Sequence, residues 1–265
     1  MLTSILSHLP EDFPWKNRIS HFTTVESTNT LAKNLGAQGA PHGTVLIADA
    51  QTGGRGRMGR SFHSPAGSGI YLSLILRPEC HASQLMHLTC AVAVAMCDAV
   101  HQACGIHPGI KWINDLVYDS RKLGGILTEL SLRSDGTVEY AVIGIGINCS
   151  QRAEDFPEDI RSIATSLFIA TKKDVCRSKI AACMIEALEK MSNNLFTAKA
   201  DMMDRYRQNC ITLGKDVSIH RDGNVCYGVA SDMDENGTLI VDFADGHRET
   251  VGAGEVSVRG LYGYI

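Results

Sequence analysis

Gln51-Thr52-Gly53-Gly54-Arg55-Gly56-Arg57-Met58-Gly59-Arg60 threads three arginines between four glycines, with no acid among them. Glycine lets a backbone approach a ligand closely and visit positive φ. Interleaved guanidiniums present forked donors to carboxylate or phosphate oxygens. The stretch reads as a clamp for an anion, against the alternative of a flexible, solvated basic loop. Its letters also fit two nucleotide patterns. Gly54, Gly56 and Gly59 satisfy G-x-G-x-x-G, and Gly54 to Ser61 nearly satisfies G-x-x-x-x-G-K-[ST] with Arg60 in the lysine position. Both patterns need a helix to open directly after the loop and hold phosphate on its N-terminus. Here Ser61-Phe62-His63-Ser64-Pro65-Ala66-Gly67-Ser68-Gly69 follows, and its proline and glycines forbid a regular helix. The strand-like run Ile70-Tyr71-Leu72-Ser73-Leu74-Ile75-Leu76 comes next. The arginine loop therefore joins two strands, and both helix-opening readings fall.

Working outward, residues 43–50 form an apolar strand into the loop and residues 69–77 a strand out of it. Upstream, His21 to Val25 reads as a strand that runs into Ser27-Thr28-Asn29 and a helix beginning near Thr30. Such side chains cap helices or touch a ligand, and the sequence leaves both open. Downstream, residues 82–104 read as one long amphipathic to buried helix. Three strand-like segments follow, Ile110 to Ile113, Lys122 to Leu132 and Glu139 to Ile147, with turns at residues 119–121 and 133–136. Helices return at about 174–197 and 199–210. From Gly214 the pattern alternates with period two, punctuated at residues 221–224, 234–237 and 244–246. That is a meander of short strands, the size of a small SH3-type barrel. The expected division is a catalytic unit over 1–212 and a barrel over 213–265.

Composition sets bounds on function. A chain of 265 residues with 44% hydrophobic and 20% charged residues is an ordinary globular protein. Its net charge of −4 gives no global field for nucleic acid, so an anion site must be local. No signal peptide is visible, and the apolar segments read as too interrupted to cross a membrane. Nine cysteines without a C-x-x-C pair, in a chain without an export signal, point to a reducing cytoplasm. Cys90, Cys97 and Cys104 recur every seven residues, as buried thiols do, and are not expected to join His87 and His101 in a metal site.

A second cluster joins Lys111-Trp112-Ile113-Asn114-Asp115 to Lys122-Leu123-Gly124-Gly125-Ile126. Hairpin geometry would bring these strand ends together. A half-buried lysine beside an aspartate is held charged and aimed at developing negative charge. Gly124 and Gly125 are expected to let a ligand lie close, and Gly144-Ile145-Gly146-Ile147-Asn148 repeats that theme at another strand end. An exposed hairpin with ordinary surface charges explains Arg121, but not Trp112 or the paired glycines. Together the pieces suggest one pocket lined by strand ends and the arginine loop.

These motifs, in this order, resemble the biotin protein ligases. The resemblance runs from about Ser27 to Arg259 and includes Leu213-Gly214-Lys215 and Glu255-Val256-Ser257-Val258-Arg259. It implies an α+β fold with a class II synthetase-like catalytic domain, a mixed β-sheet flanked by helices, and the closing barrel. It also implies a two-step reaction: biotin and MgATP give biotinyl-5′-adenylate, whose acyl group passes to one lysine of a biotin carboxyl carrier protein, usually that of acetyl-CoA carboxylase. By this resemblance Lys122, Arg57 and Asp115 are catalytic. Ser27, Thr28, Asn29, Gln51, Gly54, Arg55, Arg57, Lys122, Gly124 and Gly125 take biotin. Arg57, Arg60, Phe62, Lys111, Asn114, Lys122, Asn148 and Arg259 take ATP, and Asp115 orients Lys122 or helps carry magnesium.

Two departures stand out: Met58 where some members have arginine, and Ile113 for the proline of a Lys-Trp-Pro-Asn-Asp form, expected to be mild. Only some twenty residues precede the first motif, without a helix-turn-helix pattern or basic cluster. A monofunctional cytoplasmic ligase is expected, binding neither DNA nor membrane, with a homodimer compatible but not indicated. Lipoate ligation, with the same adenylation logic, is the nearest rival. A non-enzymatic biotin-sensing or nucleotide-binding protein is the other.

Overall fold

The computed structural model describes residues 1–221 and 224–252, and residues 257–260 as backbone. Its strands are β1 (Ile19–Val25), β2 (Thr44–Gln51), β3 (Gly69–Leu76), β4 (Gly109–Lys111), β5 (Asp115–Tyr118), β6 (Arg121–Leu132), β7 (Val138–Asn148), β8 (Asp216–Arg221), β9 (Asn224–Met233), β10 (Leu239–Phe243), β11 (Arg248–Val251) and β12 (Ser257–Gly260). Its α-helices are α1 (Leu2–Leu6), α2 (Thr28–Ala37), α3 (Leu88–Cys104), α4 (Glu158–Arg161), α5 (Leu167–Thr171), α6 (Arg177–Asn193) and α7 (Lys199–Asn209).

Seven strands form a mixed sheet in the order β1-β2-β3-β7-β6-β5-β4. Only the β1–β2 pair is parallel; the other pairings are antiparallel. The central β3 is buried along its whole length, which explains its nearly unbroken apolar sequence. Ile70, Leu72, Leu74 and Leu76 enter a large core with residues of α1, α3, α6 and α7. Ile75 faces the other way and meets Ala32 of α2, Leu46, Tyr140 and Val142. Each such aliphatic side chain contributes about 1.5–3 kcal/mol on full burial. The sheet is thus covered by helices on one face and by α2 on part of the other, and the uncovered part of that second face carries the functional cavity.

The stretch read as one helix over 82–104 is a 3-10 turn, Ala82–Leu85, followed by α3 from Leu88, and it departs from the reading in its apolarity as well. Residues Ala82–Cys104 are long and apolar enough to cross a membrane, with a mean hydropathy of 1.4, but 72% of that window is buried inside the protein. A helix apolar on all sides is a core helix. Cys90 and Cys97 are buried on it, and burial pushes the Cys97 thiol up to about 12. His87 is fully buried, its Nε2 2.9 Å from the Leu195 carbonyl, while His101 stacks on His107. Among the described residues no group of three or more His, Cys, Asp or Glu could hold a metal ion.

The C-terminal strands make a second antiparallel sheet in the order β11-β10-β9-β8-β12. Its turns fall at the expected signals: Asp234 Oδ1 accepts from the amides of Asn236 and Thr238, and Gly246 takes φ 88°. Of the other signals, Asp222, Gly223, Glu255 and Val256 lie outside the described residues. The sheet docks through its β9–β10 turn. Trp112 Nε1 donates to the Gly237 carbonyl at 2.8 Å, and a Cβ at Gly237 would stand 2.5 Å from Cys90 Sγ. Trp112 therefore ties the two sheets together. The sequence reading missed the N-terminal helix α1, the short strand β5, and the stretch 149–173, which forms α4 and α5.

Candidate active site

Register places the site. Across the sheet, Tyr71 pairs with Gly146 and Gly146 with Gly125; Ser73 pairs with Gly144 and Gly144 with Leu127. Paired residues project to the same face, so glycines and small residues here leave a hollow beside α2. A bulge then re-aims the next strand end. Leu116 pairs with Gly124, but Val117 pairs with Lys122, so Leu123 is the extra residue of β6. Leu123 and Ile126, three apart, both enter the helix-side core, while Lys122 turns to the cavity face. Re-aiming a side chain is a common use of a bulge. Lys122 Nζ meets Asp115 Oδ1 at 2.6 Å.

At the α2 end the cavity wall is a chain of neutral polar groups. Ser27 caps α2, its Oγ accepting from Thr30 N, so the capping role holds for this residue. Gln51 Oε1 accepts from Thr28 N at 2.8 Å and contacts Thr28 Oγ1 at 3.1 Å, while Gln51 Nε2 donates to Ser64 Oγ. Ser73 Oγ lies 2.8 Å from Thr28 Oγ1 and 2.6 Å from Asn29 Oδ1. Asn29 fits only because residue 144 has no side chain: a Cβ there would stand 2.0 Å from Asn29 Oδ1. Gly144→Ala is expected to cost about 1–3 kcal/mol of stability, read as a lower unfolding midpoint; a variant as stable as the parent would contradict this seating.

The arginine loop closes the other side as a strand-like hairpin. Gly56 N donates to the Arg60 carbonyl, Phe62 N to the Gly54 carbonyl, and Arg55 bridges to Ser61. A single 3-10 turn, Arg57–Gly59, sits at its tip, with Met58 in the left-handed region at φ 55° and exposed. As expected, no helix opens after the loop; β3 follows. Arg57 reaches across the cavity, Nη1 donating to Asn114 Oδ1 at 3.0 Å. Burial pulls its guanidinium below the usual range, offset by Asp115. Asn114 is fixed in turn by Nδ2 to the Ile126 carbonyl, and its own carbonyl accepts from Ile126 N. The preceding Trp112–Ile113 peptide is cis.

These walls enclose about 670 Å3, the size of a small-molecule site. Arg55, Arg57, Arg60, Lys111 and Lys122 line it, and among the described residues Asp115 is its one carboxylate. In a chain of net charge −4 the cavity thus carries a local excess of positive charge. Ser27, Thr28, Asn29, Gln51, Phe62, Asn114, Gly125 and Asn148 also line it.

Two expected residues, Gly124 and Gly54, are not among those that line the cavity, and a third, Arg259, has its side chain outside the described residues. Gly124 is packed under β7, where a Cβ would meet the Gly146 carbonyl at 2.5 Å, so strand packing requires a glycine there. Gly54 lies behind the lining, where a Cβ would meet the Phe62 carbonyl at 2.4 Å, so it allows the hairpin to close. Arg259 is placed by backbone alone, opposite Ser218 on β12, and its side chain lies outside the described residues. Gly144 and Gly146 line the cavity and also seat the protein's own side chains, since a Cβ at either would clash with Asn29 or Phe62. Asn148 is committed to the 149–173 stretch, with Nδ2 on the Thr165 carbonyl and Oδ1 accepting from Gln151.

The sequence reading missed Ser73, although a lone hydroxyl inside the apolar run 70–76 is a usable signal. It also missed the apolar wall of Phe156, Ile160, Ile163 and Ala164. That wall holds the Lys122 backbone on both sides: Lys122 N donates to the Ile163 carbonyl, and Thr165 N to the Lys122 carbonyl.

Comparison with known proteins adds the following. Residues 21–148 match the biotin/lipoate A/B protein ligase family, and residues 212–259 match the biotin protein ligase C terminal domain. The chain is 34% identical over 230 residues to the bifunctional ligase/repressor BirA of Bacillus spizizenii, covering 86% of this chain and 70% of that protein. It is 32% identical over 236 residues to the biotin--[acetyl-CoA-carboxylase] ligase of Mycobacterium tuberculosis, covering 87% and 85%. A solved biotin protein ligase from Aquifex aeolicus, in complex with biotin and ATP, superposes with a TM-score of 0.77 at 27% identity, covering 92% of this chain and 99% of that one.

Proposed function

Because this chain belongs to the biotin protein ligases, we propose that its cavity condenses biotin with ATP and passes the biotinyl group to a lysine of a biotin carboxyl carrier protein. The observation that supports this best is the mixed lining of one cavity: five cations, together with a neutral hydrogen-bonding wall built on α2. Biotin has that same division, an anionic carboxylate on an apolar tail and a neutral ureido ring.

Thr28, Gln51 and Ser27 hold the ureido ring. Lys122, Arg55 and Arg57 hold the carboxylate against the α-phosphate, removing the repulsion that keeps two anions apart. A carboxylate oxygen attacks the α-phosphorus, the bond to pyrophosphate breaks, and biotinyl-5′-adenylate remains. Arg60 and Lys111 take outer phosphate oxygens, and Phe62, backed by Tyr71, offers adenine an aromatic face. The carrier's lysine then attacks the acyl carbon as a free amine and AMP leaves. Asp115 orients Lys122. As the one carboxylate lining the cavity it would also be the residue to help hold a magnesium ion, which would spread phosphate charge. DNA binding forms no part of this reading, since the clustered arginines line the cavity.

The test is transfer. The chain is incubated with carrier domain, ATP and either biotin or lipoate, and the carrier is weighed by mass spectrometry. A biotinyl adduct on one lysine is expected; a lipoyl adduct alone would move the chain to the sister activity.

A further inference from the structure

We propose that Glu129 fixes the direction of the hydrogen bonds at the neutral end of the cavity, and so makes that end selective for a ligand bearing N–H donors. The inference rests on the reading of this cavity as a biotin site.

Glu129 lies on β6, beyond the cavity lining, with its side chain 25% exposed. Its Oε2 accepts from Asn29 Nδ2 at 3.1 Å, and its Oε1 meets Lys33 Nζ at 2.9 Å. A carboxylate only accepts. The Leu127 carbonyl, 3.3 Å from Asn29 Nδ2, only accepts as well. Both therefore demand the NH2 of Asn29, which turns its Oδ1 to Ser73. Ser73 has one hydroxyl proton, and the 2.6 Å contact to Asn29 Oδ1 takes it. The 2.8 Å contact between Thr28 and Ser73 must then be donated by Thr28, in preference to its longer 3.1 Å contact with Gln51. Gln51 Oε1 is served by Thr28 N.

The protons thus run one way, from Thr28 to Ser73 to Asn29 to Glu129. Thr28 Oγ1 is left with free lone pairs and no proton for the cavity. It offers an acceptor, which a ureido N–H fills and a dithiolane ring does not. A buried acceptor without a donor is what lets a site reject an otherwise similar ligand. Burial alone would raise the Glu129 carboxyl, but hydrogen bonds from Lys33 and Asn29 and the charges of Lys33 and Arg55 hold it below its usual range. It stays an acceptor at neutral pH.

ATP–pyrophosphate exchange on the full chain, with biotin and ATP varied in turn, tests this. In Glu129→Gln the ammonium of Lys33 claims the one amide oxygen, so an NH2 faces the NH2 of Asn29. KM for biotin is expected to rise about tenfold to a hundredfold, with KM for ATP unchanged. Adding Lys33→Met frees the amide oxygen to turn to Asn29, and should return KM for biotin to within about threefold of the parent. An unchanged biotin KM in Glu129→Gln, a rise not relieved by Lys33→Met, or equal rises for biotin and ATP would each overturn the inference. If the parent chain shows no biotin-dependent exchange, the biotin reading itself fails and takes this one with it.

Discussion

Replacing Lys122 by alanine lowers biotin-dependent adenylate synthesis about a hundredfold to a thousandfold and leaves the fold in place. The expectation follows from how the residue is held. Its backbone N–H and carbonyl are bonded to Ile163 and Thr165, and both bonds survive in alanine. Its side chain contributes little packing: it is 30% exposed and pairs with Asp115. What is lost is a preorganised cation, aimed by a β-bulge at the place where carboxylate and α-phosphate meet. Fixed charges that need no rearrangement during reaction supply the largest share of such catalysis. Circular dichroism and thermal unfolding should match the parent, while exchange collapses. Near-normal exchange would remove Lys122 from the chemistry.

Replacing Arg57 by glycine has the second large effect, on fidelity. Arg57 is the cross-cavity tie of its loop: Nη1 donates to Asn114, which is itself pinned to Ile126. Without the guanidinium this tie is gone, and the tip already carries Met58 and Gly59 at positive φ, with solvent around both. A charge-assisted hydrogen bond is worth about 1.5–3 kcal/mol, so the adenylate should escape about tenfold to a hundredfold faster. A released acyl-adenylate is reactive, and bystander proteins in the mixture should become biotinylated on surface lysines. Streptavidin blotting of a mixture of carrier and unrelated protein reads this directly. Selectivity equal to the parent would mean that the loop is not a lid.

How far these features were legible in the sequence depends on whether local chemistry or tertiary geometry decides them. The arginine loop was legible because proline and glycine after it exclude a helix whatever the rest of the chain does. The strands beside it were legible from their apolar runs. Lys122 was found from its neighbours, but its direction was not. Leu123 and Ile126 share one core although strict alternation separates them, and Gly124-Gly125 carries no hydropathy to betray the bulge. The glycines were read as ligand-facing, and Gly125, Gly144 and Gly146 do line the cavity, but Gly144 and Gly146 also seat Asn29 and Phe62, and Gly124 is packed under β7. A glycine states that something comes close, and only the fold says what. Ser73 stands out as a lone hydroxyl in an apolar strand, but its partners Thr28 and Asn29 are set by the fold, and residues 149–173 were hidden by their lack of periodicity. The segment 82–104 is long and apolar enough for a membrane, yet its helix α3 packs against α6 and α7 instead, an outcome that composition alone does not fix.

The central claim is that one cavity joins a neutral ring-binding wall to a cluster of cations that activates a carboxylate. It is tested most directly by ATP–pyrophosphate exchange with no carrier protein present. Exchange that requires biotin, is not supported by lipoate and is lost in Lys122→Ala is the predicted result. Exchange that proceeds without biotin, or that persists undiminished in Lys122→Ala, would contradict the account.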